Sequence, residues 1–175
     1  YINTINAETE LKLKSLLNNK ENFERFKDII SVSNKQNLVD VIYIGRDLLG
    51  DNGNFNWIDV SAITDFSLLF YHSSFNGDIS LWNVSNGINF AGMFSNASKF
   101  NKPLSKWNVS NAKFMNAMFS NASKFNQPIG NWDVTNVTNF DFMFWKAANL
   151  IRISVIGTLV ILARNIMCSA IVIIQ

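Results

Sequence analysis

Few side chains in this chain of 175 residues are of the kinds that do chemistry. It has a single His, His72, and a single Cys, Cys168. General-base work needs an imidazole beside an acid or a nucleophile, and His72 stands in Tyr71-His72-Ser73-Ser74, which reads as a turn. Cys168 has no His or acid near it in sequence, so no thiolate–imidazole pair is on offer. Tetrahedral zinc needs several thiolates or imidazoles, which one of each cannot supply. Asp51, Asp59, Asp65 and Asp78 lack the alternate spacing and closing carboxylate of a calcium loop, and Gly45, Gly50, Gly53 and Gly77 form no phosphate cradle. The chain therefore reads as no enzyme, with no cofactor and no metal ligand set.

What the chain has instead is asparagine and aromatic rings. Residues are 48% hydrophobic, 13% aromatic and 16% charged, which suits a folded domain and not a disordered one. The net charge of +2 is too small to argue for a nucleic-acid or anionic-lipid partner. Asn occurs 26 times, twice as often as the 13 Asp and Glu together, an excess that calls for a repeated structural use.

That use is a repeat of period 25. Residues 75–99 read FNGDISLWNVSNGINFAGMFSNASK, residues 100–124 FNKPLSKWNVSNAKFMNAMFSNASK, and residues 125–149 FNQPIGNWDVTNVTNFDFMFWKAAN. Phe75, Phe100 and Phe125 align, as do Trp82, Trp107 and Trp132, then Val84, Val109 and Val134, then Met93, Met118 and Met143 with Phe94, Phe119 and Phe144. An earlier, shorter copy, DVSAITDFSLLFYHSS, spans Asp59 to Ser74.

Inside one copy the apolar spacing changes. Trp132 and Val134 alternate with polar residues as in a half-buried strand, whereas Val137, Phe140, Met143, Phe144 and Ala147 follow helical steps, with Thr138 and Asp141 as a capping box. One short strand and one short helix per copy are expected. No copy can bury such a face alone, so the copies should stack Trp on Trp and Phe on Phe into an α/β repeat solenoid. Strands stack about 4.8 Å apart and helices are about 10 Å wide, so the coil should curve with its strands inward.

With Trp and Val facing the core, the residues between them face out along the concave wall: Leu81, Asn83 and Ser85, then Lys106, Asn108 and Ser110, then Asn131, Asp133 and Thr135. These nine are the candidate protein-binding face. Asn76, Asn101 and Asn126, with Asn86, Asn111 and Asn136, are expected to form ladders bonded to the turn backbone of their own coil and to each other, in preference to a sugar- or calcium-binding row. The five sequons at Asn83, Asn96, Asn108, Asn121 and Asn136 follow from the repeat and need no glycan.

The pattern FNQPIGNWDVTNVTNFDFMF closely resembles the repeats FNQPIxxWDVSNVTNMxxMF of the BspA-like leucine-rich-repeat surface proteins of bacteria, with Phe90 and Phe140 departing from the usual Met. The resemblance covers about residues 54–149. It implies a right-handed solenoid at the cell surface or secreted, non-enzymatic, that adheres to protein ligands of a host matrix or cell surface.

The flanks differ in kind. Residues 1–53 are expected to form a helical cap, with a second amphipathic helix from Leu38 to Leu49 ending at Gly50; coils then follow over 54–74, 75–99, 100–124 and 125–149. No signal peptide is visible, and the chain starts at Tyr1. Residues 150–175 abandon the repeat and turn apolar. A membrane anchor is disfavoured, because Arg152 and Arg164 leave only 11 uncharged residues between them against the roughly 20 that span a bilayer. A frameshift accounts for more letters. Deleting one T from codons for NFNQDISNWDVSN yields NLIRISVIGTLVI, which is Asn149 through Ile161. The alternative to an adhesin-like module is accordingly a truncated or frameshifted fragment of one, without activity of its own. Genomic DNA is expected to show the slip; the same tail read in frame from several isolates would remove it.

Overall fold

The computed structural model describes residues 30–147. The first element, α1, spans Lys35–Leu49. Asn34 caps its start by accepting the Asn37 N–H at 2.9 Å, and Gly50 ends it at φ +71°, a left-handed conformation that glycine takes without steric cost. The helix agrees with the expected second amphipathic helix but begins three residues before Leu38, where its cap lies. Leu38, Val41, Ile42, Ile44 and Gly45 form its buried side. Gly45 is small for a reason: a Cβ there would stand 2.7 Å from Phe55 and 3.1 Å from Trp57 of the first coil. Two ion pairs tie α1 to that coil and its approach, Arg46 to Asp51 at 2.6 Å and Lys35 to Asp65 at 3.3 Å. Residues of the expected first helix lie outside the described ones, as does the tail.

Each repeat copy lies against the next, and the rings show it. Phe70, Phe94, Phe119 and Phe144 stack with centroids 5.4, 5.4 and 5.7 Å apart and planes within 14°. Phe75, Phe100 and Phe125 make a second column at 6.4 and 6.0 Å. Contacts of 4.0 to 4.1 Å between Phe70 and Phe75, Phe94 and Phe100, and Phe119 and Phe125 join the columns. Trp82, Trp107 and Trp132 are 3, 3 and 8% exposed. Each of these three Trp also donates its indole N–H to a carbonyl of the preceding coil, Trp82 to Phe55, Trp107 to Ile79 and Trp132 to Leu104. One side chain thereby supplies both apolar burial and a coil-to-coil bond.

The elements inside a coil differ from expectation. The Trp-x-Val stretches carry no backbone hydrogen bonds from coil to coil among the described residues and are not a laddered strand. Parallel bridges link Asp65, Asn89, Phe114 and Asn139, at the start of the stretch read as a helix, and two more, Ser31 to Asp59 and Asn54 to Asp78, lie around the first coil. That stretch is not a helix either. Alternate N–H groups leave the coil, Phe90, Gly92, Phe94 and Asn96 donating to Phe114, Asn116, Met118 and Ser120 of the next one. The others close β-turns within the coil, Met93 to Phe90, Ser95 to Gly92 and Ala97 to Phe94. An α-helix keeps its N–H groups for its own carbonyls four residues back, so it cannot share them with a neighbour. Overlapping turns reproduce the three- and four-residue apolar spacing of a helix while sending every second donor outward.

This arrangement needs a positive φ at the third residue of the first and last turn of each run, as type II turns do. The residues there are Leu68, Gly92, Ala117 and Phe142 in one row and His72, Asn96, Asn121 and Lys146 in the other, all with φ between +53° and +61°. Glycine and asparagine occupy such a position readily, whereas the Cβ of other residues is strained there. Gly92 is doubly constrained, since a Cβ would meet the Leu68 side chain at 2.7 Å. We expect Gly92→Ala to destabilise the fold by about 1 kcal/mol or more and Ala117→Gly, at the matching position, to be neutral or stabilising, as read by urea unfolding. Equal effects of the two would refute the turn assignment.

Candidate binding face

The nine outward residues stand in three rows. Leu81, Asn83, Lys106, Asn108, Asn131, Asp133 and Thr135 are exposed and Ser85 and Ser110 half-buried, between buried Trp and buried or half-buried Val. The alternation from buried to exposed thus exists, although the ladder that was expected to carry it lies elsewhere. Most of these polar groups are occupied in shaping the coil. Asn83, Asn108 and Asp133 each accept the N–H two residues on, from Ser85, Ser110 and Thr135, at 3.1 to 3.2 Å. Such Asx turns bend the chain out of the extended run after Trp. Asn131 donates its amide to the Ser105 carbonyl of the preceding coil. Apart from the half-buried Ser85 and Ser110 hydroxyls, that leaves Leu81, which is 59% exposed, and Lys106 as the side chains with no described structural bond.

The asparagine ladders differ from expectation in direction. Asn86, Asn111 and Asn136 donate to carbonyls of the preceding coil, Ser61, Ser85 and Ser110, each at 2.8 Å, and not to their own turns. Asn76 and Asn101 accept the backbone N–H of Asn101 and Asn126 at 2.9 Å. A side-chain amide here replaces a backbone strand, because it offers donor and acceptor at one site.

Beside the nine residues lies a shallow surface groove of about 340 Å³ lined by Ala62, Thr64, Asn86, Ile88, Asn111 and Lys113. None of the nine lines it. Its floor opens where Ala62 stands in the row that Asn86 and Asn111 continue, and its wall is the row Thr64, Ile88, Lys113, whose residue type changes from copy to copy. Next to Lys113, Phe114 takes the position at which Asp65, Asn89 and Asn139 make Asx turns, and it is 42% exposed with no such bond to make. The changing letter at 64, 88 and 113 and the odd Phe114 are the signals in the sequence that could have pointed here. Among the described residues no group of three or more His, Cys, Asp or Glu is placed to hold a metal ion. His72 sits at φ +53° in a turn with its ring 4.6 Å from that of Tyr71; Cys168 lies outside the described residues.

Five aspartates, Asp51, Asp59, Asp65, Asp78 and Asp133, have lowered pKa values. For Asp133 and Asp59 hydrogen bonds to Thr135 and to Ser61 and Ser31 lower the pKa. For Asp65 and Asp78 burial acts in the opposite direction but is outweighed, by Ser67 and Lys35 in the first and by Ser80 and Asn56 in the second. At Asp51 the Ser74 hydroxyl is the largest cause of lowering, with Arg46 adding to it.

One family model matches, over residues 46–154, and its description is Mycoplasma protein of unknown function, DUF285. No curated protein and no solved structure matches the chain.

A carboxyl with a lowered pKa in the fold adds stability that is complete above its unfolded pKa and lost as pH falls through its folded one. We expect thermal unfolding to be insensitive to pH from 7 down to about 5 and to fall steeply below about 4. Asp65→Asn, which keeps the turn acceptor that Asn89 supplies in the next coil, should shrink that acid loss. An unchanged slope would show that Asp65 does not contribute.

Proposed function

The chain belongs to the DUF285 family, matched over residues 46–154, and on that footing we propose that it is a non-catalytic binding module, a BspA-like leucine-rich-repeat solenoid displayed at or secreted from a bacterial surface. Its ligand is a protein of a host matrix or cell surface, held on the outward face of the Trp-x-Val stretches. The observation that carries this reading is the contrast within each copy. Ring, Trp and Asn positions repeat, while outward positions change from Leu81 to Lys106 to Asn131 and from Ile88 to Lys113. A surface that varies over an unvarying frame is what a set of binding proteins with different ligands requires. An exposed Leu with a Lys in the next row offers an apolar contact and a charge of the kind found in protein interfaces.

Asn108 and Asp133 are poor probes, since an Arg at either would remove a turn acceptor. Leu81→Arg and Lys106→Glu disturb the face alone. With immobilised fibronectin, laminin and collagen as representative matrix proteins, we expect saturable binding to at least one. Each variant should weaken it tenfold or more with an unchanged melting temperature. Undiminished binding by both variants rejects the face, and no binding to any of the three rejects this ligand class.

A further inference from the structure

Two rows of side chains wall the groove beside the Trp-x-Val face, and both run from coil to coil. Ala62, Asn86 and Asn111 make one row, Thr64, Ile88 and Lys113 the other, and all six are exposed. The residue between the rows turns inward in each coil, Ile63, Gly87 and Ala112 being buried, which leaves a trough along the stack.

What the trough offers a ligand is side chains, because its backbone is spent. The Thr64 carbonyl accepts the Ile88 and Asn89 N–H groups, the Ile88 carbonyl those of Lys113 and Phe114, and the Lys113 carbonyl that of Thr138. A peptide strand therefore finds no free edge to extend. The amides are different. Asn86 and Asn111 each spend one N–H on the Ser61 and Ser85 carbonyls, which leaves the second N–H and the Oδ1 of each without a partner among the described residues. A donor beside an acceptor, repeated one coil further on, suits a row of hydroxyls, since each hydroxyl both donates and accepts. Lys113 is the one cation among the lining residues, no acid stands with it, and its ammonium forms no ion pair among the described residues. Ile88 is 38% exposed, and Phe114, next to Lys113, shows 42% of its surface, so an apolar face lies alongside the polar one.

We propose that this trough binds an acidic oligosaccharide, with sugar hydroxyls on the Asn86 and Asn111 amides, a sugar carboxylate on Lys113, and the C–H face of a ring over Ile88 and Phe114. Sugars combine these three demands in one molecule: hydroxyls in series, an apolar ring face that packs on exposed carbon, and in acidic sugars a carboxylate. A single ammonium matches a sparse carboxylate and not a densely sulfated chain. The volume of about 340 Å³ is at the lower end of the range of ligand sites and holds a short segment of such a chain. None of the nine residues of the proposed protein-binding face lines the trough, so the two sites stand or fall separately.

The test is an NMR titration of the isotope-labelled full chain with a tetrasaccharide of alternating glucuronate and N-acetylglucosamine and, separately, with a sialyl trisaccharide. Saturable shifts of the Asn86 and Asn111 side-chain amides are expected with one of them, and the sugar that responds identifies the source of the carboxylate. Two variants take residues that this fold already uses at the same positions. Lys113→Thr copies Thr64 and Thr138 of its row, and Phe114→Asn restores the turn acceptor of Asn89 and Asn139. Each should weaken binding about fivefold or more without lowering the melting temperature, as should reduction of the sugar carboxyl to an alcohol. Leu81→Arg, on the other face, should leave it intact. No shift with either sugar, undiminished binding by both variants, or equal shifts with an acidic peptide of alternating Glu and Gly would overturn the proposal.

Discussion

Everything in this molecule answers to one constraint, that each ring must lie on the same ring one copy away. Flat rings stacked at 5.4 to 6.4 Å fix the separation of neighbouring coils and forbid any insertion that would put a Phe out of phase. The backbone has to bridge that separation continuously, coil after coil, without forming a wide element that would push the coils apart. An α-helix fails on both counts: it is about 10 Å across and consumes its own donors. Overlapping turns meet both requirements, since alternate N–H groups close the turns and the rest reach the next coil. The strain at Leu68, Ala117 and Phe142, none of them residues that favour a positive φ, is tolerated because the stack leaves the backbone no other conformation there.

Asparagine is abundant for the same reason. Away from the turn run, neighbouring backbones pair only around the first coil, at Asp59 and at Asp78, and elsewhere polar groups would be left unsatisfied. An amide side chain spans the gap with one donor and one acceptor, as Asn86, Asn111 and Asn136 do toward the preceding coil, while Asx turns at Asn83, Asn108 and Asp133 redirect the chain. Most of the residues that look like a hydrophilic recognition surface are thus part of the frame. On the proposed binding function, what is left for recognition is what breaks the pattern: Leu81, Lys106, Ile88, Lys113 and Phe114.

How far the sequence could be read follows from this. The register, the buried aromatic set and the end of α1 at Gly50 were legible, because identical residues at a fixed period and a glycine after an amphipathic run have one physical explanation each. The strand and helix within a copy were misassigned because apolar spacing reports which residues face inward, not which backbone bonds are made. Turns that overlap by two residues imitate a helix in that respect. Gly92, Asn96 and Asn121 hinted at positive φ, but Leu68, Ala117 and Phe142 concealed it. The groove escaped notice because it arises between coils, from a small Ala62 beside larger residues two copies along, a relation that no single copy contains.

The bonds also give the stack a direction. In the turn runs each coil donates backbone N–H groups forward to the next, while Trp indoles and the Asn86, Asn111 and Asn136 amides donate back to the one before. The two ends are therefore chemically unlike, and neither is the complement of itself, so a two-fold pairing of equal ends cannot satisfy them. At the leading end the problem is solved by a helix whose own donors are internally consumed and whose apolar side, Leu38, Val41, Ile42 and Ile44, meets the first rings. A helix suits that end because there the extended run needs only residues 30–32 to pair with Asp59, and the rest of the first coil asks mainly for apolar cover. From the first coil to the third the forward-pointing N–H groups find their acceptors on the next coil, which a helix side would not offer. A coil of the same kind carries carbonyls, rings and amides in the needed order, and that is why the stack of described coils has a direction.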